Sequence, residues 1–287
     1  MNKLPRPPYD DAVILQKLTQ NKRLKSYPHL QSQAAMLHLA YAQYEAVAGN
    51  VHHVNAVPIG NAIADYLRSH YESPGKDLAH IEAIRAEHEH RTCPMCGSFH
   101  SGTLDHVLPQ ADYPAFALFS RNLVPACKCN SKRGNIVAGA ANERILHPYF
   151  DHCLTERLIR ADFSDLGAVP GITLQLCIDG AHPYYAPVAF HAATIVGRSA
   201  ILRYLRDRWL ALCRRPSLAV RALVRNPATE AALRRILSDE LELLDDEHGS
   251  KNNWNSAFIA GVMEPHVVTW LYQRMHAPGR ASNAPLL

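Results

Sequence analysis

No stretch of the sequence approaches the roughly 20 uninterrupted apolar residues that a membrane-spanning helix requires, so no membrane association is expected. The opening MNKLPRPPYDDAV has neither the apolar core nor the small-residue cleavage site of an export signal, and the expected setting is the cytoplasm. Internal repeats and low-complexity tracts are missing, which excludes solenoid and fibrous architectures. Charge of one sign is scarce in net terms. Thirty Lys plus Arg stand against 26 Asp plus Glu, a balance of +4 that rules out a bulk basic coat. Seven cysteines are an odd number in a chain without an export signal, which disfavours a disulfide framework and leaves metal ligation or buried thiols.

What is there is ordinary globular material. At 287 residues and 47% hydrophobic content, the chain is long enough for one large domain or two modest ones. It can bury roughly three quarters of its unfolded surface. The basic side is lopsided, with 22 Arg and 8 Lys. The planar guanidinium suits phosphate recognition, and genomic base composition is the bland alternative.

Four stretches follow one another. Residues 1–90 read as a helical N-terminal region. Apolar residues recur at helical spacing in Val13, Ile14 and Leu18, and again in Ala35, Met36, Leu39, Ala42 and Tyr44. A further helix spans Val57 to Tyr71, closed by Ser73-Pro74-Gly75, and Lys76 to His90 carries Leu78, Ile81 and Ile84 on one face. Residues 91–150 are dense in Cys, His, Asn, Pro and Gly. Residues 151–190 form a β-rich segment, with strand character from Leu158 to about Val188. The clearest alternation sets Ile172, Leu174, Leu176 and Ile178 against Thr173, Gln175 and Cys177. Residues 191–287 are helical again, and the closing GRASNAPLL reads as a loose tail.

Chemistry concentrates in the second stretch. Cys93-Pro-Met-Cys96-Gly97 is a tight knuckle that turns two thiolates to one point, and Cys127-Lys-Cys129 supplies a second pair. Zinc takes four such ligands tetrahedrally. The second pair is one residue shorter than usual, but positions i and i+2 of an extended segment share a face. The alternative is three cysteines with His88, His90 or His100 as the fourth ligand. Between the pairs lies Leu104-Asp105-His106-Val107-Leu108-Pro109. Asn122-Leu-Val-Pro125 follows, and then Asn130-Ser-Lys-Arg-Gly134-Asn135.

The order Cys-x2-Cys, Asp-His, Asn-Leu, Cys-x-Cys-Asn, Lys-Arg-Gly resembles the HNH endonuclease family, whose ββα-metal unit is often stapled by a four-cysteine zinc. The resemblance covers about Cys93 to Asn135. Pro109 to Arg121 and Leu146-His-Pro-Tyr-Phe-Asp151 are similar to stand-alone bacterial HNH proteins, some found in anti-phage defence loci beside ATPase partners. It implies an α+β fold, a mainly helical protein with an embedded ββα-metal unit at 91–150. It also implies hydrolysis of DNA phosphodiester bonds. By the same resemblance His106 is the general base, Asp105 and Asn130 hold Mg²⁺ or Mn²⁺, and Asn122 orients the loop behind the histidine. Arg121, Lys132 and Arg133 contact phosphates, and the four cysteines hold structural Zn²⁺.

These residue types suit the reaction. A hard ion needs oxygen ligands and open positions, and the attacking water needs a base that is neutral near pH 7. Asp105 and His106 are adjacent, so they are expected where the strand ends and bends. The expected partners are DNA and an ATPase or other defence-system protein. RNA shares the same active-site chemistry. The alternative is a catalytically silent, zinc-stapled module that binds nucleic acid or docks a partner.

Other candidates carry less. His88-Glu89-His90 reads as a solvated face, and His52-His53 carries no spacing argument. His147 and Asp151 either touch the site or pack the core, with packing favoured. Cys153, Cys177 and Cys213 read as core thiols. From Arg198 to Arg235 ten arginines stand against Asp207 and Glu230. This run is either a rail for a nucleic-acid backbone or a solvated face paired with the acids at 239–247.

Overall fold

The Asp10 carboxylate accepts the Val13 N–H at 3.0 Å and so starts α1 (Asp11–Gln20). In the computed structural model, which describes residues 1–87 and 91–287, this helix opens a helical platform. It continues through α2 (His29–Ser32), α3 (Ala34–Ala46), α4 (Asn61–Glu72) and α5 (Ala79–Glu87). The expected helices are present, but α3 is rotated from the expected face. Leu37, Ala40, Tyr41 and Tyr44 are buried, whereas Leu39 is 72% exposed. The two long aromatics decide the rotation, because only one face of α3 meets Phe116 and Phe119. On α5 and the turn before it, Leu78, Ile81 and Ile84 are all buried as expected. The His88-Glu89-His90 segment lies outside the described residues.

A hairpin and a short helix follow. Strands β1 (Thr103–His106) and β2 (Leu123–Ala126) are antiparallel, with Asp105 opposite Val124 and His106 opposite Leu123. Helix α6 (Cys129–Arg133) comes directly after and ends at Gly134, whose φ of +62° favours glycine. A second hairpin pairs β3 (Ile159–Ser164) with β4 (Gly171–Leu176). Strand character stops at Leu176 rather than near Val188, because α7 (Tyr185–His191) already occupies the end of the expected β segment. Then come α8 (Ile201–Arg214), α9 (Glu230–His248), α10 (Trp254–Val262) and α11 (Pro265–Met275). Thr229 caps α9 through the Ala232 N–H, and Asn253 caps α10 through the Ser256 N–H.

About half of the chain is helical, with two small antiparallel sheets among the described residues: an α+β fold, mainly helical. Among these residues no helix is long and apolar enough to cross a membrane. Buried side chains from all four stretches, including Tyr44, Phe119, Tyr149, Phe163 and Trp209, join one hydrophobic cluster. The closing segment is not loose. Leu286 is buried and its N–H donates to Cys213 O at 2.8 Å, while Asn283 accepts the Ser217 N–H at 3.0 Å. Cys153 and Cys213 are core thiols as expected, but Cys177 falls just past β4 on its open side and is exposed.

Helix α10 lies against β3 at a closeness only glycine permits. A Cβ on Gly261 would sit 2.5 Å from the Ala161 carbonyl oxygen and 2.8 Å from the Ala161 Cβ. Because the obstacle is backbone, Gly261→Ala is expected to lower unfolding stability by about 1–3 kcal/mol. A denaturant midpoint indistinguishable from that of the parent would refute this close packing.

Candidate functional site

Cys93 and Cys96 sit in a knuckle closed by the Gly97 N–H to Cys93 O bond at 2.9 Å and the Cys93 N–H to Ser98 O bond at 2.8 Å. Gly97 has φ +82°, and a Cβ there would fall 2.2 Å from Asn252 O, so both conformation and space demand glycine. All four sulfurs of Cys93, Cys96, Cys127 and Cys129 lie within 4.8 Å of one another. Cys93 Sγ is 3.8 Å from Cys129 Sγ, and Cys96 Sγ is 3.5 Å from Cys127 Sγ. Thiolates at roughly 2.3 Å from a tetrahedral zinc would be about 3.8 Å apart. The donor set and its dimensions therefore fit a structural metal such as zinc. Backbone N–H groups of Cys127 and Cys129 point at Cys93 Sγ and Cys127 Sγ, each at 3.3 Å, as befits sulfurs that carry negative charge.

The short Cys127-Lys-Cys129 spacing works for a reason other than strand alternation. Lys128 has φ −66° and ψ 6°, a turn into α6 rather than extended chain, and this turn brings both sulfurs to the same side. His100 is exposed and is not among the clustered ligands, whereas His88 and His90 lie outside the described residues; among the described residues the cluster is made of four cysteines.

The end of β1 carries Asp105 and His106. The ladder runs regularly through His106, so the expected bend is not there and burial alternates along the strand. His106 is buried on the core side, its ring 4.3 Å from the Tyr71 ring, while Tyr71 Oη donates to Leu104 O at 2.6 Å. His106 Nε2–H donates to Ala117 O at 2.9 Å, which leaves the Nδ1 lone pair as the basic position. Burial outweighs the Ala117 bond and the nearby Asp105 charge, and it holds the imidazole below its ordinary pKa of 6.5. The ring is thus neutral at pH 7.

Asp105 leaves the other face toward α6, where Arg133 Nη2 meets its Oδ2 at 3.0 Å. Asn130 precedes Arg133 by three residues on the same short helix and shares its face. Asn130 is buried; among the described residues its Nδ2 has no partner, and its Oδ1 has only the Cys129 thiol at 3.5 Å. Once Cys129 is a metal-bound thiolate it has no proton to donate. The whole buried amide is then unsatisfied, an arrangement that costs about 1–3 kcal/mol unless something binds it.

Asn122 is locked from every side. Its Oδ1 accepts the Leu108 N–H at 2.8 Å, and its Nδ2 donates to Leu108 O at 3.0 Å and Phe116 O at 3.2 Å. Tyr44 Oη on α3 also donates to Oδ1, at 3.1 Å. Behind it, His147 Nδ1 accepts the Tyr149 N–H at 3.2 Å, so Nε2 carries the proton that it donates to Tyr44 Oη at 3.0 Å. Complete burial depresses the His147 pKa to about 3 and keeps it neutral. His147 and Asp151 therefore serve packing, with Asp151 gripped by Arg144 at 2.6 and 2.7 Å. The roles of Tyr44 and Tyr71 were not legible in sequence, where Tyr44 is one more apolar helix position.

Two of the three expected phosphate contacts are not free cations. Arg133 is buried by its bond to Asp105 and a 2.9 Å bond to His106 O. Arg121 is held by Asp11 at 2.6 Å, by Glu45 at 2.9 Å and by Tyr9 O. In each case a partly buried carboxylate claims the guanidinium. Lys132 is exposed. His52 donates from Nε2 to Glu143 O at the surface.

Two outcomes follow from this geometry. The purified protein is expected to carry about one zinc ion per chain by elemental analysis, and Cys93→Ser to lose both the ion and much of the thermal stability; a fully stable, metal-free parent would exclude the structural metal. Tyr44→Phe, which removes a hydroxyl serving two buried partners, is expected to cost about 1–3 kcal/mol in urea denaturation, and an unchanged midpoint would remove the relay from the stabilising interactions.

No family model matches the sequence, and no solved structure matches it. Over 84 residues the chain is 36% identical to Protein ea31 of Escherichia phage lambda, a stretch that spans 28% of this chain and 28% of that protein.

Proposed function

We propose that the chain is a metal-dependent endonuclease of the HNH type that hydrolyses DNA phosphodiester bonds. The observation that carries the reading is the end of β1. A buried, neutral imidazole with its Nδ1 lone pair free of the Ala117 bond stands beside a carboxylate that leaves the opposite face of the strand. In-line attack needs a base on one side of the phosphorus and charge neutralisation on the other. Asp105 and His106 are the last two residues of β1, so a phosphate that meets both would have to lie at the open end of the strand, between the two faces their side chains leave.

In this mechanism His106 Nδ1 takes the proton of the attacking water, and the Ala117 carbonyl fixes the tautomer through Nε2–H. Asn122 holds the loop from Val107 to Asn122 closed behind the imidazole. Asp105 Oδ1 and Asn130 Oδ1 are the oxygens that would hold Mg²⁺ or Mn²⁺, and such an ion, when bound, supplies the positive charge that steadies the leaving 3′ oxygen. Arg133 keeps Asp105 aimed through Oδ2 alone. Zinc at the four cysteines serves structure only, and Lys132 remains the phosphate contact of the original three. A role as a cytoplasmic effector of anti-phage defence, restrained by an ATPase or similar partner, accords with the large helical regions around a small catalytic unit.

A specific observation favours a second reading. Arg133 already neutralises Asp105 at 3.0 Å, as in a module that has kept the zinc-stapled fold without the chemistry.

Plasmid cleavage with Mg²⁺ or Mn²⁺ separates the two. The parent is expected to cut and His106→Ala to lose at least about 100-fold in rate. The parent's rate should rise with pH through a midpoint below 6.5, because burial favours the neutral base. Equal cutting by both proteins would overturn the role of His106, and a metal-loaded parent that binds DNA without cutting would favour the silent module.

A further inference from the structure

The arginine-rich run of the C-terminal region has no assigned task, and the acids that follow engage only part of it: Glu240 lies near Arg208 and Arg221, whose charges oppose the effect of burial on its carboxyl. Asp245 pairs instead with Arg157 at 2.6 Å. Among the described residues the ion pair made by the run is Arg234 with Glu230 at 3.0 Å, within α9 itself. Arg208 is spent on the carbonyls of Leu218 and Ala219 at 3.1 and 2.8 Å. Arg203, on the first turn of α8, is exposed and makes no ion pair among the described residues.

Arg203 stands on the wall of a groove of about 460 Å³ that runs between α8 and the ββα unit. The opposite wall carries Lys128 and Lys132, both exposed, and one end reaches Thr103 at the start of β1. The floor is partly aromatic, with Phe99 and Trp254 beside the cluster cysteines Cys127 and Cys129, and no Asp or Glu lines the groove. Three cations around a partly aromatic floor form the pattern that single-stranded nucleic acid requires, with phosphates on the rim and bases against the floor. A few hundred cubic ångströms accommodate an unstacked nucleotide and leave no room for a duplex. Thr103 lies two residues from Asp105 along β1, about 7 Å at roughly 3.4 Å per residue. That is short enough for one unpaired strand to run from the groove to the end of β1.

We propose that this groove holds an unpaired strand of DNA adjacent to the cut site, with Arg203, Lys132 and Lys128 as its phosphate contacts. The purpose of the groove rests on the nuclease reading. Its occupancy does not, and the two are separable by experiment.

The test is fluorescence anisotropy of a labelled 12-nucleotide single-stranded DNA with the zinc-loaded full chain and no catalytic metal. Arg203→Glu is expected to weaken binding about tenfold or more and to flatten the dependence of log affinity on log salt by about one or more. Arg206→Glu, an exposed charge three residues along α8 and outside the groove, is expected to cost less than about threefold. Equal losses in the two variants would mean a diffuse charge effect and overturn the groove. Unchanged affinity in Arg203→Glu would overturn it as well, as would tighter binding of a duplex or of the matching RNA. If cleavage turns out not to depend on His106 while Arg203→Glu still loses the single strand, the nuclease reading falls and the groove stands.

Discussion

The cysteine knuckle is the constraint on which the rest of the chain is hung. Four of its carbonyls are each claimed by a separate N–H donor. Asn2 N–H takes Pro94 O at 3.0 Å, His191 Nε2–H takes Met95 O at 2.6 Å, and Trp254 caps Cys96 O through its indole at 2.8 Å and Gly97 O through its backbone at 3.1 Å. A tight turn buried under other elements would otherwise strand these oxygens, each at a cost of about 1–3 kcal/mol. The start of the chain, α7 and α10 therefore converge on one point, and Cys127 and Cys129 tie β2 and α6 to the same point through sulfur. A metal at the sulfurs would fasten all of these elements at once. The large helical regions are thereby docked onto the small hairpin rather than appended to it.

From that anchor the catalytic candidates inherit their positions through neutral, fully satisfied polar groups. His191 bridges Leu146 N–H and Met95 O, and burial depresses its pKa to about 4. His147, Tyr44 and Asn122 continue the pattern toward the loop behind His106. His147 and His191 each have one nitrogen accepting and the other donating, so neither needs a charge, and the low-dielectric interior is tolerated. Asn130 departs from this economy, since its buried amide is left open beside Asp105. Unsatisfied polar groups of this kind are uncommon in cores and are a reason to look for a ligand there.

The charged surface is arranged by what lies nearby in space rather than in sequence. Arg121 and Arg133, next to the motif residues, are consumed by Asp11, Glu45 and Asp105. Arg203, about 70 positions further on, comes to the groove beside α6. Carboxylates in partly buried positions take the nearest guanidinium, because an unpaired buried charge is the costlier alternative. The cations left unpaired are those on surfaces without acids.

The sequence by itself determined the parts whose information is local. Periodicity marked the main helices, alternation from Ile172 to Leu176 marked the strand β4, and the spacing of Cys93, Cys96, Cys127 and Cys129 pointed to a cluster that could hold a metal, because a ligand set needs particular residue types at short separations. Asp105, His106, Asn122 and Asn130 were likewise visible as a motif. Tertiary structure decided what depends on long-range contact: the rotation of α3 toward Phe116 and Phe119, the docking of the closing segment through Leu286, and the clamp on Asn122 by Tyr44 and His147. It also decided which arginines are buried in ion pairs and which remain free. None of these has a local signature, since each turns on which side chains the packed core brings within about 3–4 Å of one another, and pairing of that kind is settled only when distant segments share one interior.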